Sequence, residues 1–484
     1  MHNWTFLIPI MILLAAFALW TAPLDGLHLW GDELYTAVVT ARPVPEMLHA
    51  ALIDAVHPPF YYLFIHAWSK AAGSTAFALR MPSVLAMLLG IALLARLGRE
   101  FHSARAGRLA LLLGALSPFF FWYAQEMRMY ALLFTLTAAE MLLLVLALKG
   151  RRNAWAAQAA VTALLVNTHY FGFFALLPPF AFLAAERRRR PQLPRWIAAH
   201  AVGAATFIPW LIAWLNRDPK YVGIGWIPAL KPVDFLLTLR TFFFSGAESW
   251  PWLLAPGAVG LAVAFGAAFL PKDPHRWRPL LLLSWGLPWA LAAMISWSIL
   301  PLYVDRYLMI LLPALFVWIG WGLAGLPRLP ASLALAGILV GMIGGIIGIN
   351  TQPPWQRPDW HNAMITVLTS SWTDQIYLTN SPYTIPARLY YAPALPAFEQ
   401  LTPVTGDASI RAASGESGCP SGRSCWVIWE RYLILNHFPP AAADPTTVAQ
   451  DLAKTNPTAA WLVEHRDACT RYTFTHIEVW RCGE

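Results

Sequence analysis

The chain has 484 residues, 58% of them hydrophobic and only 12% charged, about half the charge of an average soluble domain, which excludes a soluble enzyme. Residues 1–349 hold 25 Lys/Arg against 14 Asp/Glu, and residues 350–484 hold 9 against 12. The basic excess lies between apolar runs and not on one polar face, so the pI near 9.4 is a topology signal and excludes nucleic acid as a partner.

Apolar runs of about 20 residues, enough to cross a hydrocarbon core of roughly 30 Å, are predicted at 4–23, 78–97, 106–123, 130–148, 154–169, 171–186, 196–215, 251–270, 279–300, 307–325 and 331–349. Eleven spans follow from this reading. The connections after the even-numbered spans carry Arg96, Arg99, Arg105, Arg108, Lys149, Arg151, Arg152, Arg187 to Arg190, Arg195, Lys272, Arg276, Arg278 and Arg328 against Glu100, Glu186 and Asp273. By the positive-inside rule that face is cytoplasmic, so the N-terminus is expected inside and residues 350–484 outside a plasma (inner) membrane. A cleaved signal peptide over residues 1–22 is the competing reading, but a basic n-region and an A-x-A site are both missing.

The first outward loop, 24–77, contains Asp25, Asp32, Glu33, Glu46, Asp54 and His57. Its half-apolar stretch Pro58 to Trp68 is too short to span and mixes polar with aromatic groups, so a helix lying in the interface is expected there. The tail, 350–484, reads as a small extracytoplasmic α/β domain with strands at Gln375–Asn380, Ser424–Glu430 and Thr473–Trp480 and a helix opening after Pro358-Asp359. All four cysteines, Cys419, Cys425, Cys469 and Cys482, fall in it. Two disulfides are expected, with 419–425 and 469–482 the most local of three connectivities; a zinc site competes, although neither pair has C-x-x-C spacing.

Ionisable groups are costly at membrane depth, so their placement carries information. Besides the first loop, the outward ends of later spans hold Gln125, Glu126, Arg128 and Tyr130, then His169 and Tyr170, then Asp305, Arg306 and Tyr307. The outward segment 216–250 adds Arg217, Lys220, Tyr221, Lys231 and Arg240. Carboxylates, histidines and cations at one membrane boundary suit transfer of a group from a lipid-linked phosphate. A carboxylate would take the acceptor's proton, and Arg or Lys would stabilise the departing phosphate.

At these residues the sequence resembles the GT-C glycosyltransferases, in the branch of the protein O-mannosyltransferases and the bacterial aminoarabinose transferases. The likeness rests on Gly31-Asp32-Glu33 after the first span, Val56-His57-Pro58-Pro59 in the same loop and Arg80-Met81-Pro82-Ser83 opening the second span. Further along, Tyr123-Ala124-Gln125-Glu126-Met127-Arg128-Met129-Tyr130 and Asp305-Arg306-Tyr307-Leu308 continue it in the family's order. It covers most of residues 20–325. The resemblance implies a GT-C-like membrane domain over 1–349 and an inverting transfer, outside the cytoplasm, from a polyprenyl-phosphate-linked sugar to an acceptor hydroxyl on a lipid, a glycan or a protein. It maps the catalytic acid onto Asp32 with Glu33 as neighbour, and the donor phosphate onto Arg80, Arg128 and Arg306. Substrate positioning then falls to His57, Glu126, Tyr61, Tyr130, His169, Asp305 and Tyr307. In the aminoarabinose transferases an acidic residue beside a K-P-P run is linked to a metal. Here His57-Pro58-Pro59 lacks an adjacent carboxylate, so no cofactor is assigned and a divalent metal stays open. The tail does not match the mannosyltransferases' outward β-trefoil repeats.

Plainer roles compete at each position. Asp32 and Glu33 suit the first turn of a helix; Glu126 and Arg128 suit a structural ion pair; Arg80 and Arg306 suit snorkelling anchors; His169 suits an interfacial histidine. Trp226, Trp250 and Tyr303 suit an aromatic belt as well as sugar stacking. At the level of the whole chain, the alternative is a transporter or lipid flippase whose ionisable residues line a path, but such proteins are built from repeats, and none is found.

Overall fold

The computed structural model describes residues 7–217, 227–352, 355–368, 376–379, 384–391, 425–430 and 469–482. Nineteen helices are described: α1 (Leu7–Thr21), α2 (Gly31–Ala41), α3 (Val44–Asp54), α4 (Phe60–Ala72), α5 (Ala76–Phe101), α6 (Ala104–Leu116), α7 (Pro118–Ala124), α8 (Tyr130–Leu148), α9 (Asn153–Thr168), α10 (Gly172–Ala185), α11 (Leu193–Ala205), α12 (Ile208–Leu215), α13 (Asp234–Phe244), α14 (Pro251–Ala267), α15 (Arg278–Ser298), α16 (Leu312–Gly325), α17 (Arg328–Thr351), α18 (Trp360–Leu368) and α19 (Thr384–Tyr391). The chain divides into two compact units. One comprises Met1–Leu24 and Pro43–Thr351; the other joins Asp25–Arg42 to Gln352–Glu484.

In the first unit every predicted apolar run falls on helix, but the runs are not equal. Six helices are long and apolar enough to cross a membrane, or up to eight when two bent pairs each count as one span. α10 and α14 are shorter apolar helices, and α9, at 16 residues, falls outside both groups. The first bent pair, α6 and α7, turns by 62° at Ser117. That residue ends one helix and caps the next: its hydroxyl accepts from the Phe120 N–H at 3.3 Å and donates to the Phe242 carbonyl at 3.1 Å. Pro118 at the first helical position has no N–H to lose there. α11 and α12 bend by 53° at Thr206-Phe207, with Pro209 in the first turn of the second segment.

Packing within this unit follows small residues. α17 turns Ala331, Ala334, Gly341, Gly344 and Gly345 inward and packs on α14, while Leu329, Leu333, Val340 and Ile343 point outward, the pattern of a lipid-facing helix. Gly322 of α16 lies so close to α14 that an added Cβ would sit 1.7 Å from the Ala264 carbonyl oxygen. Deeper in the unit, Glu140 of α8 is buried and accepts from Gln158 at 3.2 Å and Thr162 of α9, with His200 of α11 at 3.5 Å. The three helices are thus joined by a satisfied polar group in place of apolar contact alone. α4 is the short helix expected after His57-Pro58-Pro59; it buries Tyr61, Tyr62 and Ile65.

The second unit contains α2, α18, α19 and a four-stranded sheet of order β1-β2-β4-β3, with β1 Ile376–Thr379, β2 Cys425–Glu430, β3 Cys469–Phe474 and β4 Ile477–Cys482. β1 runs parallel to β2, and the other pairings are antiparallel. The expected single strand Thr473–Trp480 is a hairpin: Phe474 pairs with Ile477 across a turn at Thr475-His476, where His476 takes φ 56°. Cys469 and Cys482, opposite each other in that hairpin, form a disulfide. The 419–425 pairing lies outside the described residues because of Cys419. α18 begins where Pro358-Asp359 predicts, with the Asp359 carboxylate accepting from the Asn362 N–H at 3.1 Å.

Candidate functional site

In the first unit four segments far apart in sequence meet. The chain between α7 and α8 makes a tight turn, with the Arg128 N–H donating to the Glu126 carbonyl at 2.8 Å. The Ser83 hydroxyl of α5 holds this turn by donating to the Arg128 carbonyl at 3.3 Å. Ser83 stands three residues from Arg80 on one face of α5, and Arg80, Ser83, Gln125, Glu126 and Arg128 are all buried. The second segment is the loop between α3 and α4, carrying His57. The third, between α9 and α10, carries His169. The fourth is a 3-10 turn, Asp305–Leu311, which leads into α16 and is buried throughout.

Rings bring these segments together. The His57 and His169 imidazoles lie 5.0 Å apart, and Tyr307 is 4.8 Å from His169 and 6.1 Å from His57. Tyr130 completes the group at 6.4 Å from His57 and 6.3 Å from Tyr307. The Arg306 guanidinium stands 5.8 Å from the ring centres of both Tyr130 and Tyr307. Burial pushes the His57 imidazole well below its usual range, and the Arg128 and Arg306 charges push it further. The same burial, with Arg128 and Arg306, lowers His169 to about 3. Both rings are therefore neutral at physiological pH. The His169 Nδ1 accepts from the Phe171 N–H at 3.1 Å, which puts its proton on Nε2. That buried N–H, like the buried Nδ1 of His57, has no hydrogen-bond partner among the described residues.

Asp305 is held by a separate series of hydrogen bonds. The Trp289 indole N–H, a donor only, donates to the Tyr303 hydroxyl at 2.7 Å; Tyr303 donates to the Thr238 hydroxyl at 3.0 Å; Thr238 donates to the Asp305 carboxylate. Burial raises the Tyr303 phenol's pKa, so it remains a donor. Each bond fixes the direction of the next, and the sequence of donors ends at an acceptor. Tyr303, expected in an aromatic belt, is buried in this relay. Thr238 and Trp289 carry no motif, so nothing in the sequence marks them.

Of the remaining residues singled out from sequence, Tyr61 is buried in α4, and Trp250 is half-buried at the start of α14. Arg217 lies over the Trp214 ring at 4.1 Å, and Arg240 lies 3.7 Å from Glu248. Lys220, Tyr221 and Trp226 lie outside the described residues.

Asp32 and Glu33 belong to the second unit, in the first turn of α2. Asp32 is half-buried. Glu33 is fully buried and bound: its carboxylate lies 2.6 Å from the Arg357 guanidinium and accepts from the Trp30 N–H at 3.4 Å. Arg357 was not singled out from sequence, because a basic residue beyond the last apolar run reads as an ordinary flank. Among the described residues no three or more His, Cys, Asp or Glu side chains are grouped closely enough to share a metal ion. Among the described residues His57 and His169 form a pair with no third His, Cys, Asp or Glu placed to share an ion with them.

Residues 56–214 match the family model described as dolichyl-phosphate-mannose-protein mannosyltransferase. That stretch contains His57, Arg80, Glu126, Arg128, Tyr130 and His169, while Asp32 and Asp305 to Tyr307 lie outside it. No curated protein matches the sequence. Among solved structures, ArnT from Cupriavidus metallidurans bound to undecaprenyl phosphate is similar over 100% of both chains, with a TM-score of 0.59 at 15% identity. Its apo state gives 0.59 at 14% identity over 98% of each chain. The oligosaccharyltransferase of Archaeoglobus fulgidus in the apo form gives 0.51 at 14% identity, over 82% of this chain and 60% of that one. The chain has the GT-C fold, and its residues 56–214 match the dolichyl-phosphate-mannose-protein mannosyltransferase family.

Proposed function

We propose that the protein is a glycosyltransferase that moves a sugar from a polyprenyl-phosphate-linked donor to an acceptor hydroxyl outside the cytoplasm. The observation that carries this reading is the buried cluster of Arg128 and Arg306 with two neutral imidazoles. In a water-poor site such cations stabilise a leaving phosphate strongly, and the imidazole N–H groups add neutral donors to it. The family match over 56–214 and the fold shared with ArnT, whose structure holds undecaprenyl phosphate, support a lipid-phosphate donor.

The reaction is a single displacement. Asp32 takes the acceptor's hydroxyl proton, the acceptor oxygen bonds to the anomeric carbon, and the carbon–oxygen bond to phosphate breaks with its electron pair on the phosphate oxygen. One displacement inverts the anomeric centre. Arg80, Arg128 and Arg306 bind the phosphate; His57, His169, Glu126, Tyr61, Tyr130, Asp305 and Tyr307 position the substrates. The basic connecting loops support an N-terminus in the cytoplasm and a C-terminal segment outside it.

Purified protein given a set of polyprenyl-phosphate-linked sugars tests this, with wild type beside Asp32→Asn. The substitution removes the base without opening a cavity, so turnover should fall about a hundredfold or more. Full transfer by Asp32→Asn would remove Asp32 from the base role. Assay after chelation addresses a metal separately: unchanged activity would exclude an essential exchangeable ion.

A further inference from the structure

The loop leading into α2 has an unusual support. Its N-cap residue is Trp30, which offers no side-chain oxygen and makes no side-chain capping bond. Glu33 accepts locally from the Trp30 N–H at 3.4 Å, and the other residues that hold the loop lie more than 300 positions along the chain. Arg357 reaches the buried Glu33 carboxylate at 2.6 Å. The Tyr391 hydroxyl accepts from the Leu29 N–H at 2.8 Å and donates to the Leu29 carbonyl at 3.4 Å. The Tyr391 ring meets His361 at 4.9 Å, and His361 stacks on His28 at 4.6 Å. The loop is thus gripped at His28, Leu29 and Glu33, and the next helical position after Gly31 is Asp32.

We infer that Arg357, His361 and Tyr391 form a clamp that positions the proposed general base Asp32, with Arg357 and Tyr391 as positioning residues. The inference rests on the sugar-transfer reading. Adjacent residues on a helix point about 100° apart, so the ion pair that engages Glu33 fixes the rotation of α2 and with it the direction of the half-buried Asp32 side chain. Glu33 is then a positioning residue as well, and not a second base. A buried pair that served folding alone would need only charge balance. A clamp that aims a base also needs the Tyr391 bonds, which neutralise no charge but set where the Leu29 backbone sits.

The test uses the full-length protein in lipid nanodiscs and three variants. Tyr391→Phe removes one hydroxyl and leaves the edge-on ring contact with His361; Arg357→Met removes the charge; Arg357→Lys keeps the charge without the planar fork. Backbone hydrogen exchange over residues 27–36 reads the clamp without reference to activity, and steady-state kinetics read its consequence. Tyr391→Phe and Arg357→Met should each raise exchange in that segment and lower kcat about tenfold, the factor that corresponds to a 1.4 kcal/mol loss of positioning. KM for the lipid-linked sugar and binding of free polyprenyl phosphate should stay within about twofold, with Arg357→Lys intermediate in kcat. Unchanged exchange in Tyr391→Phe, which disturbs packing least, would overturn the clamp, and so would faster exchange with wild-type kcat. If wild type transfers no sugar from any donor, the sugar-transfer reading fails instead, and the exchange result alone decides whether the clamp exists.

Discussion

Replacing Thr238 by valine removes one hydroxyl from the relay that ends at Asp305 while keeping the branched shape of the side chain. Two bonds go with it: the one donated to the Asp305 carboxylate and the one accepted from Tyr303. A bond to a charged group contributes about 1.5–3 kcal/mol and a neutral one about 0.5–1.5 kcal/mol, so Thr238→Val should cost about 2–4 kcal/mol. Thr238→Ser keeps the hydroxyl and gives up one methyl, about 1 kcal/mol of burial. The assay is chaotrope unfolding of the purified protein followed by tryptophan fluorescence, with transfer rate measured in parallel. The valine variant should be less stable than the serine variant by at least about 1 kcal/mol. The double variant Thr238→Val/Tyr303→Phe should cost less than the sum of its parts, because the two residues share a bond. Equal stability of the valine and serine variants, or full additivity, would refute the directed relay.

His57 and His169 are neutral in the folded protein, with His169 lowered to about 3. The unfolded chain therefore takes up protons below about pH 6.5 that the folded chain does not, and stability should decline as pH falls from there, with no contribution above it; His169→Asn should flatten that decline in pH-dependent melts. Transfer rate should show no step near pH 6.5 from either ring, and a step abolished by His57→Asn would contradict the neutral assignment. Gly322→Ala would place a Cβ 1.7 Å from the Ala264 carbonyl oxygen, so α16 should be pushed off α14 and the thermal midpoint should drop; a midpoint equal to wild type would argue against that contact. Cys482→Ser opens the β3–β4 disulfide; a bridge across a loop of that length contributes about 3 kcal/mol, and limited proteolysis should cut within 469–482 faster than in wild type.

The apolar runs were legible because length and hydropathy are local properties: each of the eleven falls on helix. What they do not encode is how a run is divided. Ser117-Pro118 and Pro209 are ordinary residues in an apolar context, and they become bends only because capping and a missing N–H let a new helix axis begin there. The clustering of His169, Arg306 and Tyr307 was foreshadowed by their shared position at span ends, and that of His57 by its place in the first outward loop, since polar groups at membrane depth seek one another. Thr238 and Trp289 were not, because a threonine and a tryptophan in apolar helices carry no signal until their partners are known. The same holds for Arg357. Its link to Glu33 spans 324 positions, and no spacing rule reaches that far. In the tail, the β-rich composition of Thr473–Trp480 indicates β-structure, yet the reversal at Thr475-His476 lacks the Asn-Gly or Asp-Gly pair that announces a tight hairpin.

That 324-residue separation has a bearing on how the chain is made. At a synthesis rate of about 5–20 residues per second, roughly 15 to 65 seconds pass between translation of Glu33 and translation of Arg357. Throughout that interval the acid has no guanidinium to meet, and burying it alone would be prohibitive. The α2 segment must therefore stay hydrated while the helices after it are inserted, and it is locked only once Arg357 has emerged. Fixing the helix that carries the proposed base thus waits for residue 357, so the nascent chain cannot hold Asp32 in its final place before that point.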